Sequence, residues 1–84
     1  MKALDKTVLP NGAVIVAITQ WGEDGIVLAQ NRKKEWVTWE FYRNDLSTTS
    51  QGHYINNWAE AVEDYRIRVD RLYRYRNEVI GEIL

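Results

Sequence analysis

"WVTWEFY" (residues 36–42) decides the fold class. Val37, Trp39 and Phe41 fall on one side of it, and Trp36, Thr38, Glu40 and Tyr42 on the other. A period of two belongs to a β-strand, because successive side chains point to opposite faces of a sheet. The predicted strand therefore has one apolar face to bury and one mixed face.

Upstream, "AVIVAITQW" (residues 13–21) is dense in β-branched residues, which suit a pleated, half-buried surface. In a regular strand Val14, Val16 and Ile18 point one way, and Ala13, Ile15 and Ala17 the other. Both faces are apolar, so a central or doubly covered strand is expected. "IVLAQN" (residues 26–31) reads as another strand. "GEDG" (residues 22–25) links the two, with Asp24-Gly25 suiting a tight hairpin turn. "RKKE" (residues 32–35) is a charged turn into the third strand. "LPNG" (residues 9–12) is a further turn: proline presets φ, and Asn-Gly accepts positive φ. Downstream, "RNDLSTTSQG" (residues 43–52) is polar and aperiodic and reads as a loop. "HYI" (residues 53–55) is a short fourth strand. Tight connections between the strands predict an antiparallel meander.

The remainder reads as one helix. Asn57 and Glu60 have the spacing of a capping box, with Asn in place of Ser or Thr. Glu60, Glu63 and Asp64 complement the positive end of the helix dipole. Apolar residues recur at Trp58, Val62, Tyr65, Val69, Leu72, Val79 and Ile83, in steps of three and four broken only at Arg76. The expected architecture is α+β in a single domain, residues 1–84. A three- or four-stranded antiparallel meander (about 13–55) is followed by one long C-terminal helix (about 57–83) packed across one sheet face. Residues 58–69 are expected to lie on Val37, Trp39 and Phe41, with Trp39 and Trp58 in the core.

Lengths then matter. The helix is roughly 40 Å long at about 1.5 Å per residue, and the predicted strands span roughly 20–30 Å. The helix should outrun its sheet while still carrying apolar residues. The expected cover is a second copy of the chain, since two-fold homodimers are the commonest oligomers. Leu72, Tyr73, Arg76, Val79, Ile80 and Ile83 are the candidate self-association residues. Arg76 is costly at the centre of an apolar stripe unless paired. Trp36 and Tyr42, on the mixed strand face, are candidate partner contacts, because aromatic anchors are enriched at interfaces.

"RIRVDRLYRYR" (residues 66–76) holds five arginines and two tyrosines. On a helical wheel the arginines do not form one stripe. Asp64 is spaced to pair with Arg68, and Asp70 with Arg66 and Arg74. A solvated, salt-bridged helix surface is the primary reading. The rival is a nucleic-acid surface made of Arg66, Arg71 and Arg74 with the turn residues Arg32, Lys33 and Lys34, since phosphate contacts need clustered cations. No helix-turn-helix, RNP or zinc-finger pattern supports it.

Composition narrows the function class. The chain has 84 residues, a net charge of −1 and no cysteine. Disulfides and thiolate metal sites are excluded, and no metal-ligand spacing or cofactor motif appears. His53 is the only histidine. A catalytic role would need a pocket around it with Asp45 or Glu40 turned inward; neither spacing nor motif predicts one, so no enzyme is expected. No apolar run reaches the roughly 18 residues of a membrane span. "MKALDKTVLPNG" has no secretory-signal core, and the expected location is cytoplasmic.

"EWVTWEF" (residues 35–41), "GHY" (52–54) and "AEAVEDY" (59–65) resemble segments of small uncharacterised bacterial proteins carried by plasmids, phages and other mobile elements. The resemblance covers about a third of the chain. It implies a bacterial accessory protein and assigns no residue a role. The meander followed by "EA" near a helix start is also similar in architecture to small antitoxin-like folds, although fold alone does not carry function. The expected function is a small non-catalytic protein-interaction or regulatory module that forms a homodimer through its helix, with nucleic-acid binding as the alternative.

Overall fold

The computed structural model describes residues 8–83, with side chains through Tyr75. Four strands precede one helix: β1 (Val14–Trp21), β2 (Asp24–Gln30), β3 (Trp36–Tyr42), β4 (Asp45–Ile55) and α1 (Trp58–Ile83). The strands form one antiparallel sheet in the order β1-β2-β3-β4. The class is α+β, as the periodicities predict.

Each turn is fixed by local chemistry. Ahead of β1, Ala13 N–H donates to Asn11 Oδ1 and Leu9 N–H to Ala13 O. Gly12 takes φ +90°, which glycine adopts without a Cβ penalty. This turn buries Leu9 and Ala13. Between β2 and β3, Asn31 Oδ1 accepts the N–H groups of Lys33 and Glu35 at 3.0 and 2.9 Å. At the helix start, Asn57 Oδ1 accepts Glu60 N–H at 3.1 Å. Only that half of the predicted capping box forms among the described residues.

Two turns differ from expectation. Trp21 pairs with Asp24, so the β1–β2 loop is Gly22-Glu23, with Gly22 at φ 66°. Asp24 and Gly25 belong to β2. Gly25 lies there because a Cβ would meet the Phe41 ring on the neighbouring strand. The predicted loop 43–52 is instead a hairpin turn and most of β4. Tyr42 pairs with Asp45, and Arg43 and Asn44 both take left-handed φ, 56° and 58°. Two left-handed residues make the type I′ turn that matches strand twist. The polar run after it is paired to β3, but its register shifts on either side of Glu40. Those irregularities erase the alternation that would have marked a strand.

The largest correction concerns the faces of the sheet. Val37, Trp39 and Phe41 are buried, but not under α1. They share one cluster with Val27 and Ala29 of β2, Leu46 of β4, and Leu9 and Ala13 ahead of β1, with Ile15 and Ile18 packed against it. Both edge strands contribute, so the sheet and its preceding turn close this face themselves. A bulge makes this possible. The register slips between Ile15 and Ala17, so Ile15 faces Ala29's side and Ile18 faces Val27's side. A bulged residue resets the alternation. Val16, the extra residue, is exposed. The β1 alternation read from sequence therefore fails after Ile15.

The helix takes the opposite face. Ala61 and Arg68 are its buried residues among those described, while Trp58 is 47% exposed. Trp58 packs edge-on against Trp36 with ring centroids 4.7 Å apart, and Tyr73 packs on Trp21 at 4.7 Å. Tyr65 and Thr19 share a hydrogen bond at 2.5 Å. These contacts run from the Trp36 end of the sheet to the Trp21 end. Placing Trp58 and residues 62–69 on Val37, Trp39 and Phe41 is thus overturned: that face was already filled, and the Thr38 face was free.

Candidate functional site

The expected Asp64–Arg68 pair along the helix does not form. Arg68 turns into the sheet and is 6% exposed. Its Nη1 donates to Thr38 O at 2.9 Å and Thr38 Oγ1 at 2.8 Å. Its Nη2 donates to Gln51 O at 2.6 Å and Glu40 Oε2 at 3.2 Å. A buried guanidinium is tolerated when its fork is satisfied in this way. Gln51 sits in the irregular part of β4 with φ 54°, and its carbonyl is an acceptor for Arg68. Bulges commonly re-aim groups next to functional sites.

Asp64 reaches across the interface instead. Thr38 Oγ1 donates to Asp64 Oδ2 at 2.5 Å, and His53 Nδ1 lies 2.9 Å from the same oxygen. Burial alone would push the Asp64 carboxyl up. The hydrogen bonds from Thr38 and His53, with the positive charges of His53 and Arg68, outweigh it and hold Asp64 below the usual carboxylate range. An ionised carboxylate only accepts, so His53 Nδ1 carries the proton that bridges them. His53 Nε2 has no partner among the described residues.

Tyr42 extends the network by donating its hydroxyl to Glu40. That hydrogen bond, with burial and the charge of the same carboxylate, raises the Tyr42 hydroxyl above its ordinary value. Tyr65, at the other flank of α1, is raised by burial, partly offset by its bond to Thr19.

A cleft of about 510 Å³ opens between α1 and β2–β4 beside this network. Glu40, His53, Arg68, Arg71, Leu72 and Tyr75 all line it. His53 and Glu40 do share a pocket. Asp45 is elsewhere: it accepts from Ser47, which holds its carboxyl below the usual range. Among the described residues no group of three His, Asp or Glu side chains is placed to hold a metal. No helix there is long and apolar enough to cross a membrane.

The remaining candidates scatter. Trp36 is engaged by Trp58, and Tyr42 lines the cleft at the sheet's end. Leu72 is half-buried in the cleft wall and Tyr73 rests on Trp21. Arg76, Val79, Ile80 and Ile83 lie outside the described side chains. Arg66 approaches Glu63 at 3.8 Å rather than Asp70, while Arg74 and Asp70 pair at 3.1 Å as expected. Arg32, Lys33 and Lys34 are exposed in the β2–β3 turn, next to Trp36 and the start of α1. Arg71 and Arg74 lie about 20 Å or more further along the helix, towards the end of the sheet marked by Trp21 and Asp24. The basic groups do not form one surface.

Sequence reasoning missed Arg68, Asp64 and Thr38 as a unit. The only signal was Thr38, a polar residue inside a strand rich in large apolar ones. Comparison with protein-family models, curated proteins and solved structures finds no match to the chain.

Proposed function

We propose that this protein is a small, non-catalytic, cytoplasmic interaction or regulatory module that forms a homodimer through the last turns of α1. The supporting observation is where the sheet ends beneath the helix. Tyr73 rests on Trp21, the last residue of β1, and Tyr75 lines the cleft beside Tyr42, the last residue of β3. The helix then continues to Ile83. Eight residues at about 1.5 Å each extend roughly 12 Å, and their sequence includes Val79, Ile80 and Ile83. Burying each of these side chains is worth about 1.5–3 kcal/mol. A two-fold pairing of these turns is the simplest cover for them. Leu72, half-buried in the cleft wall, and Tyr73, exposed on one side while resting on Trp21, stand at the near edge of that proposed interface.

Light scattering on the intact chain tests this. The expected mass is that of a dimer, and Ile80→Glu with Ile83→Glu should halve it while leaving the far-ultraviolet circular dichroism unchanged. A monomeric parent chain at high micromolar concentration refutes the reading.

A further inference from the structure

We infer that the cleft between α1 and β2–β4 binds a small organic hydroxy acid, its carboxylate on Arg71 and its hydroxyl on His53 Nε2. Several polar groups on the cleft wall, and Asp64 behind it, are already satisfied. Glu40 accepts from Arg68 and Tyr42. Asp64 accepts from Thr38 and His53. Asp24 is also engaged. The Nη groups of Arg68 are committed to Thr38, Glu40 and Gln51. Arg71 has no partner among the described residues, and neither do His53 Nε2, the Gln51 side-chain amide and the Tyr75 hydroxyl; of these, Arg71 carries the fixed charge and His53 is the one held in place by a neighbour.

Arg71 and His53 differ in kind. Arg71 is a permanent cation whose planar fork matches a carboxylate. At His53 the Nδ1 proton is held by Asp64, so Nε2 is the nitrogen left for a ligand, and a hydroxyl, which both donates and accepts, suits it with or without a proton. A carboxylate and a hydroxyl on one molecule answer both. The rest of the wall is partly apolar: Ile26, Leu72 and the ring of Tyr75. An inorganic anion makes no use of that surface, whereas an organic body does. The volume of about 510 Å³ falls in the range of small-molecule sites, roughly 300–1,000 Å³.

The test is an amide-resonance titration of the intact protein with 4-hydroxybenzoate, benzoate and inorganic phosphate. 4-Hydroxybenzoate should give saturable shifts at His53, Arg71 and Leu72. Benzoate should bind about three- to tenfold more weakly, and Arg71→Gln should weaken 4-hydroxybenzoate by about tenfold or more. Arg71 is exposed, so that variant folds normally. Absence of saturable shifts overturns the site, and so does unchanged affinity in Arg71→Gln. Equal binding of benzoate overturns the role given to His53. Phosphate binding as tight as 4-hydroxybenzoate overturns the organic class. None of these readings depends on whether the chain dimerises.

Discussion

The guanidinium of Arg68 grips Thr38 twice, through the backbone carbonyl at 2.9 Å and the hydroxyl at 2.8 Å. This relationship locks the middle of the helix to the middle of the sheet. Thr38 is fully buried, and its hydroxyl hands its own proton to Asp64. One threonine thus joins a helix cation to a helix anion one turn away, which explains why the two do not pair with each other.

Removing that cation should be severe. Arg68→Ala takes a donor from the carbonyls of Thr38 and Gln51 and leaves Glu40 with Tyr42 alone. A loss of about 3–5 kcal/mol in urea unfolding is expected. Arg68→Lys should recover only part of it, because an ammonium cannot span the same fork. A loss below about 1 kcal/mol for the alanine variant would mean that the network does not anchor the helix.

The closed sheet face predicts a contrast between two apolar positions. Phe41 is wholly buried, so Phe41→Ala should cost about 3–5 kcal/mol. Ile67 sits on the outer side of α1 at 42% exposure. Ile67→Ala should stay within about 0.5 kcal/mol. Chemical denaturation of both variants checks the difference.

Gly25 sits in β2 for steric reasons. A methyl there would meet the Phe41 ring and the Thr19 carbonyl. Gly25→Ala should lower stability by about 1–3 kcal/mol through overpacking, despite its better intrinsic propensity. Calorimetry that shows no loss would mean the strands part easily at that point.

Arg43 gives a prediction of opposite sign. It holds φ 56° in the β3–β4 turn with an exposed side chain. A left-handed non-glycine residue costs about 1–2 kcal/mol, less the entropy a glycine would lose. Arg43→Gly should therefore raise the unfolding midpoint, with a stability gain of about 1 kcal/mol at most. A lower midpoint would contradict the left-handed turn.

Asp64 links stability to pH. Its carboxyl is held lower in the folded protein than in the unfolded chain. Its stabilisation is complete above the unfolded value of about 3.9 and is lost as pH falls through the lower folded value. Asp64→Asn should be less stable than the parent at pH 7, and the gap should close towards about pH 2. Urea midpoints at both ends of that range measure it; a gap that stays constant would place the Asp64 contribution outside proton linkage.

The sequence by itself determined the local elements. Alternation in residues 36–42 made β3, the Pro10-Asn11-Gly12 turn closed ahead of β1, and Asn57 capped α1, because each depends on neighbours a few positions away. It also determined that Val37, Trp39 and Phe41 share a face. Tertiary structure decided what covers that face, since a one-residue bulge at Val16 sends Ile15 and Ile18 to the same side and the sheet then closes over itself with Leu9 and Leu46. It decided the hairpin at Arg43-Asn44, where Asn44 takes a left-handed backbone readily but Arg43 does not. It decided the place of Arg68 as well. Helix spacing offered Arg68 a partner in Asp64, but Thr38 and Glu40, some 30 residues away in sequence, offered buried acceptors to both of its Nη groups. Partners that distant become neighbours only when the chain has folded.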